Sequence, residues 1–337
     1  VVLGGTGAIG FALARRLPTT GWRIVVTGRN PEHVPGSLDP TMVRFIRAER
    51  HDPDSLAAVL GEGADLLVDC ACYTAGDAAQ LLPLLGDVAS TVMISSKAVY
   101  VDAKGRHSNS SEPPVFGAPI TEEQPTLRPN GTAYDSAEGY GPNKVAAEET
   151  LLDSGHPVTV LRPSKVHGAW SRQPREWHVV RRVLDRRPAV LLARQGAGAD
   201  HPSAALNIAA LIETVAELPG RRVLNVADPD CPSGREIAST IAGHLGHSWR
   251  EVLLDDAAPT GLGAHPWDRV PPVKLDTTAA ERLGHTPVGT YAGTVPDVVD
   301  WLVDLASRAG SPLHRFLTPL SGADDYRAED AYLRDHP

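Results

Sequence analysis

The sequence predicts an α/β chain built on a doubly wound parallel sheet, followed by a smaller C-terminal unit. Three observations predict it. Short apolar runs alternate with helix-period segments up to about Pro229, the pattern of strands joined by crossover helices. The first of those strands runs straight into a glycine-rich turn that opens a helix. Beyond Pro229 the periodicity weakens into short helices and loops, which separates the last part from the first.

Element by element, Val1–Leu3 reads as a first strand, Ile9–Leu17 as a helix and Arg23–Thr27 as a second strand. Val43–Ala48 is a third strand, and the helix Asp54–Leu60 follows with Asp52 or Asp54 as its cap. Asp65–Cys72 makes a fourth strand and Thr91–Ser95 a fifth. Residues 141–153 form a helix, Val158–Leu161 a sixth strand, and Arg222–Val226 one more, fed by the helix Ala204–Leu218. Between Tyr100 and Tyr134 lies a polar stretch rich in Pro, Ser and Gly, and a loop that long is either functional or mobile. The tail after Pro312 is too polar to assign.

Composition narrows the function. A chain of 337 residues with 42% hydrophobic and 22% charged residues is an ordinary globular protein of about two domains. No apolar run approaches the roughly 18 to 20 residues of a membrane span. No signal segment opens the chain, and its abrupt start at Val1 leads us to expect a few preceding residues; the cytoplasm is the expected compartment. A net charge of −9 opposes nucleic acid or an anionic membrane as partner, since both need clustered cations. Lys and Arg are scattered except between Lys165 and Arg187. Three cysteines give no disulfide framework; Cys70 and Cys72 share a face of the fourth strand and are expected to pack as small hydrophobes. His244 and His247 lack a third ligand, so no metal site is expected.

The turn Gly4-Gly5-Thr6-Gly7-Ala8-Ile9-Gly10 fits G-x-G-x-x-G through Gly5, Gly7 and Gly10. Glycine there allows the tight turn, lets backbone N–H groups approach a pyrophosphate, and lets helix and strand pack closely. The helix N-terminus favours the anion. This context makes the sheet Rossmann-type and implies a dinucleotide cofactor. An acid at the end of the second strand would accept from an NAD ribose. Here the strand ends Thr27-Gly28-Arg29, and an arginine suits a 2′-phosphate, so NADP(H) is favoured with NAD(H) as the alternative.

Ser95 and Ser96 end the fifth strand, and Tyr140 and Lys144 lie four apart on one face of a helix. A phenol with a reference pKa near 10 needs help to exchange protons at neutral pH. An ammonium that stabilises the phenolate and a serine that holds the reacting oxygen supply it. With Leu161-Arg162-Pro163-Ser164-Lys165-Val166-His167-Gly168, these landmarks resemble the extended short-chain dehydrogenase/reductases, the superfamily of NAD-dependent sugar epimerases and dehydratases. The resemblance covers about residues 1–230. It implies that Ser96 orients substrate, that Tyr140 is the acid/base, and that Lys144 binds the nicotinamide ribose and lowers the tyrosine's pKa. It further implies that Ala71 and Cys72 pass near the adenosine half, that Ser95 and Pro163 border the cofactor, and that flanking helices can pair into a homodimer. Residues 1–163 with about 203–228 would form the nucleotide domain, and 164–202 with 229–337 the substrate domain.

Departures from the family pattern are His167 for a tyrosine, Val101 for a glycine after Tyr100, and Glu49 where an adenine-contacting Asp is usual. Lys97-Ala98 follows Ser96 in place of the acidic pair of sugar dehydratases, which speaks against dehydration. Substrate contacts are expected from Tyr100, Lys165, His167, Trp170, Arg172, Arg175 and His201, a set that suits a polar and anionic small molecule, sugar-like or a nucleotide-sugar. A solvated basic helix would look the same. The expected function is an NADP(H)-dependent reductase acting on a carbonyl or alcohol carbon. A redox-neutral sugar epimerase with retained NAD and a non-catalytic nucleotide sensor are the rivals.

Overall fold

The computed structural model describes residues 1–31, 38–256, 258–308 and 326–336. Chain order begins with β1 (Val2–Leu3), α1 (Ala8–Arg16), β2 (Ile24–Gly28), β3 (Val43–Arg47), α2 (Pro53–Leu60) and β4 (Ala64–Asp69). It continues with α3 (Ala75–Leu81), β5 (Val88–Ile94), α4 (Ala137–Leu152) and β6 (Val158–Pro163). After β7 (Lys165–His167), α5 (Trp177–Leu184), β8 (Ala189–Leu192) and β9 (Pro202–Ala204) come α6 (Ala205–Ala216) and β10 (Arg222–Val226). The rest holds α7 (Gly234–His244), β11 (Arg250–Leu253), α8 (Thr278–Arg282), α9 (Tyr291–Ser307) and α10 (Arg327–Asp335).

Seven parallel strands form one sheet in the order β10-β6-β5-β4-β1-β2-β3. Helices α1 and α6 pack on one face through Leu13, Leu17, Ile208 and Ile212. The other face takes α2, α3 and α4 through Leu56, Leu60, Leu81 and Leu151. The sheet is therefore doubly wound. Strand order reverses between β1 and β4, and the crevice outside their carboxyl ends is where such a sheet binds ligands.

Two short parallel ladders, β7 with β9 and β8 with β11, stand apart from this sheet. Around the second, α5, α7 and α9 enclose their own core of Trp177, Ile237, Trp267, Tyr291 and Val298. The weak periodicity expected after Pro229 thus conceals a 17-residue helix, α9, in which Pro296 and Gly293 interrupt an otherwise regular apolar stripe. Part of the polar tail is helical too: α10 is tied to α5 and the turn after it by ion pairs Arg182–Glu329 and Arg187–Asp330. Residues 309–325 of that tail lie outside the described residues.

Two boundaries differ from the sequence reading in ways that matter. Strand β4 stops at Asp69, short of the cysteines, because the Asp69 carboxylate turns back to accept from the Ala71 N–H at 2.8 Å. Cys70 and Cys72 therefore do not alternate along a strand. Helix α4 begins at Ala137 rather than beside Pro142, because Ser136 Oγ accepts from the Gly139 N–H at 2.9 Å and caps it one turn earlier. That extra turn places Tyr140 inside the helix.

Candidate active site

The crevice begins at the glycine turn. Gly4 has φ +66°, and a Cβ at Gly10 would lie 2.1 Å from the Gly5 carbonyl oxygen, so both are glycine for local reasons. Gly7 is different: a Cβ there would meet nothing within 4 Å. Its open side faces the crevice that Gly4, Thr6, Gly7, Ala8, Ile9 and Gly10 line. Gly7 is also the N-cap of α1, with no side chain capping the first turn and no acid in it. Those free N–H groups and the helix dipole suit a pyrophosphate. The cradle therefore fits a dinucleotide.

Beyond the glycine turn the crevice is lined by Arg29, Arg47, Ala48, Glu49, Trp170 and Trp301, among others. A Cβ at Gly28 would come 2.7 Å from the Thr6 methyl, which explains why no acid stands at the end of β2. Gly28 pairs with Arg47 across the ladder, so Arg29 and Arg47 leave adjacent strand ends together, both exposed. Beneath them Arg50 is buried, with its guanidinium 2.7 Å from Asp69 and 2.8 Å from the Asp77 carbonyl. Arg50 went unrecognised in the sequence, since its partner lies on the next strand. Cys70 and Ala71 line the crevice, whereas the Cys72 side chain sits in the core and only its carbonyl serves the site. Burial pushes the Cys70 thiol up to about 12.

At the other end β5 delivers Ser95 and Ser96, and α4 packs against the following turn. Gly141 makes this possible: a Cβ there would lie 2.9 Å from the Ala98 carbonyl oxygen. Ser96 and Tyr140 thereby line the same cleft. Burial raises the Tyr140 pKa, while Ser96 and the Arg175 guanidinium pull it down. The Lys144 ammonium donates to the Cys72 and Ile94 carbonyls at 2.7 and 2.9 Å and lies 6.0 Å from the Tyr140 ring centre. Two of its three N–H donors are thus committed to backbone, and one is left for a ribose hydroxyl. The Lys144 ammonium also sits 4.4 Å over the ring of Tyr73, a cleft residue on the loop after β4 that sequence reading missed. The Ser95 hydroxyl turns away, to Glu148, and Pro163 lines the cleft.

Of the expected substrate residues, Lys165, Arg172 and Arg175 line the cleft beside Tyr140. Arg172 also borders the glycine turn and the part of the crevice around Arg29 and Arg47. Trp170 lies away from Tyr140, in the part of the crevice around Arg29 and Arg47, its ring 6.2 Å from those of Phe11 and Trp301. The other three are buried in the framework, which corrects their assignment. Tyr100 is fully buried, donates to Asn225 Oδ1 at 2.7 Å and carries the Arg162 guanidinium on its ring. His167 is buried against Asp228 at 2.8 Å. His201 Nδ1 accepts from the Leu275 N–H at 3.0 Å, so its other nitrogen donates to the Asp228 carbonyl and the ring is neutral; burial pushes its pKa down accordingly. In their place stand Lys97, Asp200 and Arg269. Lys97 and Lys165 both reach the Asp200 carboxylate, the latter at 3.3 Å. Burial and neighbouring cations push both ammoniums down.

The model of the NAD dependent epimerase/dehydratase family matches residues 1–197. A 2′-dehydrokanamycin reductase of Streptomyces kanamyceticus is 33% identical over 152 residues, which is 45% of this chain and only 37% of that protein. A dTDP-glucose 4,6-dehydratase of Bacillus anthracis, solved with NAD, superposes with a TM-score of 0.68 at 17% identity, covering 93% of this chain and 98% of that one. A UDP-glucose 4-epimerase of Thermotoga maritima, solved with UDP-glucose, gives 0.66 at 16% identity, covering 90% and 98%. At these identities the two structures speak for the fold. No helix among the described residues is long and apolar enough to cross a membrane, and no group of three or more candidate metal ligands occurs there.

Proposed function

Because the chain belongs to the NAD dependent epimerase/dehydratase family and is an NAD(P)-dependent enzyme, we propose that it is an NADP(H)-dependent reductase of a small polar carbonyl compound. The observation that carries this reading is the convergence of Ser96, Tyr140 and Lys144 at one end of a crevice whose other end presents Arg29 and Arg47. The glycine turn would hold the pyrophosphate, Arg29 the 2′-phosphate and Lys144 the nicotinamide ribose. When bound, NADP(H) supplies or accepts the hydride at nicotinamide C4. Ser96 holds the reacting oxygen, and Tyr140 gives it a proton in the direction of reduction. Burial keeps the phenol protonated, which suits a proton donor.

The direction has two supports. Lys97-Ala98 replaces the acidic pair that dehydration uses, and the curated relative named above is a reductase. The test is Tyr140→Phe, which keeps the ring and removes the transferable proton. NADPH binding should survive while turnover falls by about two to four decades. Normal turnover in this variant would refute the assignment.

A further inference from the structure

The cleft beside Tyr140 has a charge imbalance that hydride and proton transfer do not explain. Among the described residues it is lined by six cations, Lys97, Lys144, Lys165, Arg172, Arg175 and Arg269, and by one carboxylate, Asp200. Lys144 is committed to backbone carbonyls and Arg172 also faces the nucleotide. Four basic groups remain around Asp200; that carboxylate offsets one and Glu176, beside Arg175, another, which leaves two without a carboxylate. Lys97 is 8% exposed and Asp200 3%, so these charges are not simply solvated. Burying a cation is costly unless it is paired. Arg175 and Arg269 each spend an N–H on a carbonyl, of Val166 at 3.3 Å and Ser108 at 3.4 Å, out of the five that a guanidinium carries. Neither contact supplies negative charge.

Position then says which part of a substrate meets these groups. Lys97 directly follows Ser96, and Arg175 is near enough to Tyr140 to affect its ionisation. The cations therefore surround the reacting end of the cleft. Building on the proposed carbonyl reduction, we infer that the substrate carries an oxyanionic group, carboxylate or phosphate, close to its reacting carbon, and that Lys97, Lys165, Arg175 and Arg269 bind it. Asp200 holds the two lysines apart and in place for that anion, one on each carboxylate oxygen. A neutral or cationic sugar leaves the excess charge uncompensated and binds poorly.

Calorimetric titration of the full chain, with and without NADP⁺, tests this with four probes: D-glucuronate, D-glucose, D-glucosamine and inorganic phosphate. Glucuronate should bind at least about tenfold more tightly than glucose, equivalent to about 1.4 kcal/mol, and glucosamine more weakly than either. Phosphate binding more tightly than glucuronate would identify the oxyanion as a phosphate; the reverse order identifies a carboxylate. Lys165→Met should lower the affinity of the preferred anion about tenfold, and Lys165→Arg should restore most of it. Equal affinities for glucuronate, phosphate and glucose, or an unchanged anion affinity in a folded Lys165→Met protein, would overturn the inference. Anion binding without any NADP⁺ binding would instead reject the oxidoreductase reading and leave the anion site standing.

Discussion

Replacing Arg29 with Ala should weaken NADPH binding while leaving NADH binding nearly unchanged. Arg29 follows the last residue of β2, and Gly28 faces Arg47 across the ladder, so two guanidiniums flank the place where a 2′-phosphate would sit. A hydrogen bond to a charged group contributes about 1.5 to 3 kcal/mol. Arg29 is exposed, and solvent screening places it near the lower end of that range, roughly a tenfold loss. Arg47→Ala should act in the same direction, and the double variant should lose more than either. Titration calorimetry with both nucleotides at two salt concentrations provides the assay. The NADPH–NADH difference should shrink in Arg29→Ala and shrink further with added salt. Equal losses for NADPH and NADH would show that Arg29 does not read the phosphate, and the exposed Glu49 nearby would then favour NAD(H).

Two further predictions concern the framework. Asp69→Ala leaves the buried Arg50 guanidinium without its carboxylate and should cost about 3 to 5 kcal/mol in chemical denaturation; the double variant Asp69→Leu/Arg50→Met should recover most of it, and additive losses would contradict the pairing. Burial raises the Asp102 pKa, but hydrogen bonds from the Val115, Arg106 and Lys104 amides and the Arg106 guanidinium outweigh it and hold the carboxyl well below its usual range. A depressed carboxyl stabilises above its unfolded pKa of about 3.9 and loses that contribution as pH falls through the folded value. Protection of the amides over residues 104–115, relative to their intrinsic exchange rates, should therefore fall below about pH 4, and Asp102→Ala should reproduce the effect at neutral pH; unchanged protection in that variant would refute it.

What was legible in the sequence is what depends on neighbours along the chain. The β1–turn–α1 unit, the Ser96 strand end and the Tyr140/Lys144 helical face each carry a local signal, and the structure brings all three to one crevice. Tyr100, His167 and His201 were expected to reach substrate but point into the framework, because their partners Asn225, Asp228 and Leu275 come from distant segments. The Lys97–Asp200–Lys165 cluster was hidden for the same reason: it joins the end of β5, the start of β7 and the segment before β9. Cys72 was misplaced by assuming that β4 continues, when the Asp69 side chain ends it. Helix α9 was obscured by Pro296, which a helix tolerates near its start more readily than at its centre.

The most direct test of the account is the fate of the cofactor in a single turnover. A reductase consumes its nucleotide and releases it, whereas an epimerase must return the same hydride to its own intermediate and gains from holding the nucleotide tightly. Protein purified without added cofactor should therefore arrive largely nucleotide-free, and with an anionic carbonyl substrate should oxidise NADPH in one-to-one proportion to the alcohol formed. Tightly bound NAD, together with substrate inverted at one carbon and no net change in nicotinamide absorbance, would contradict the reductase and establish a redox-neutral epimerase.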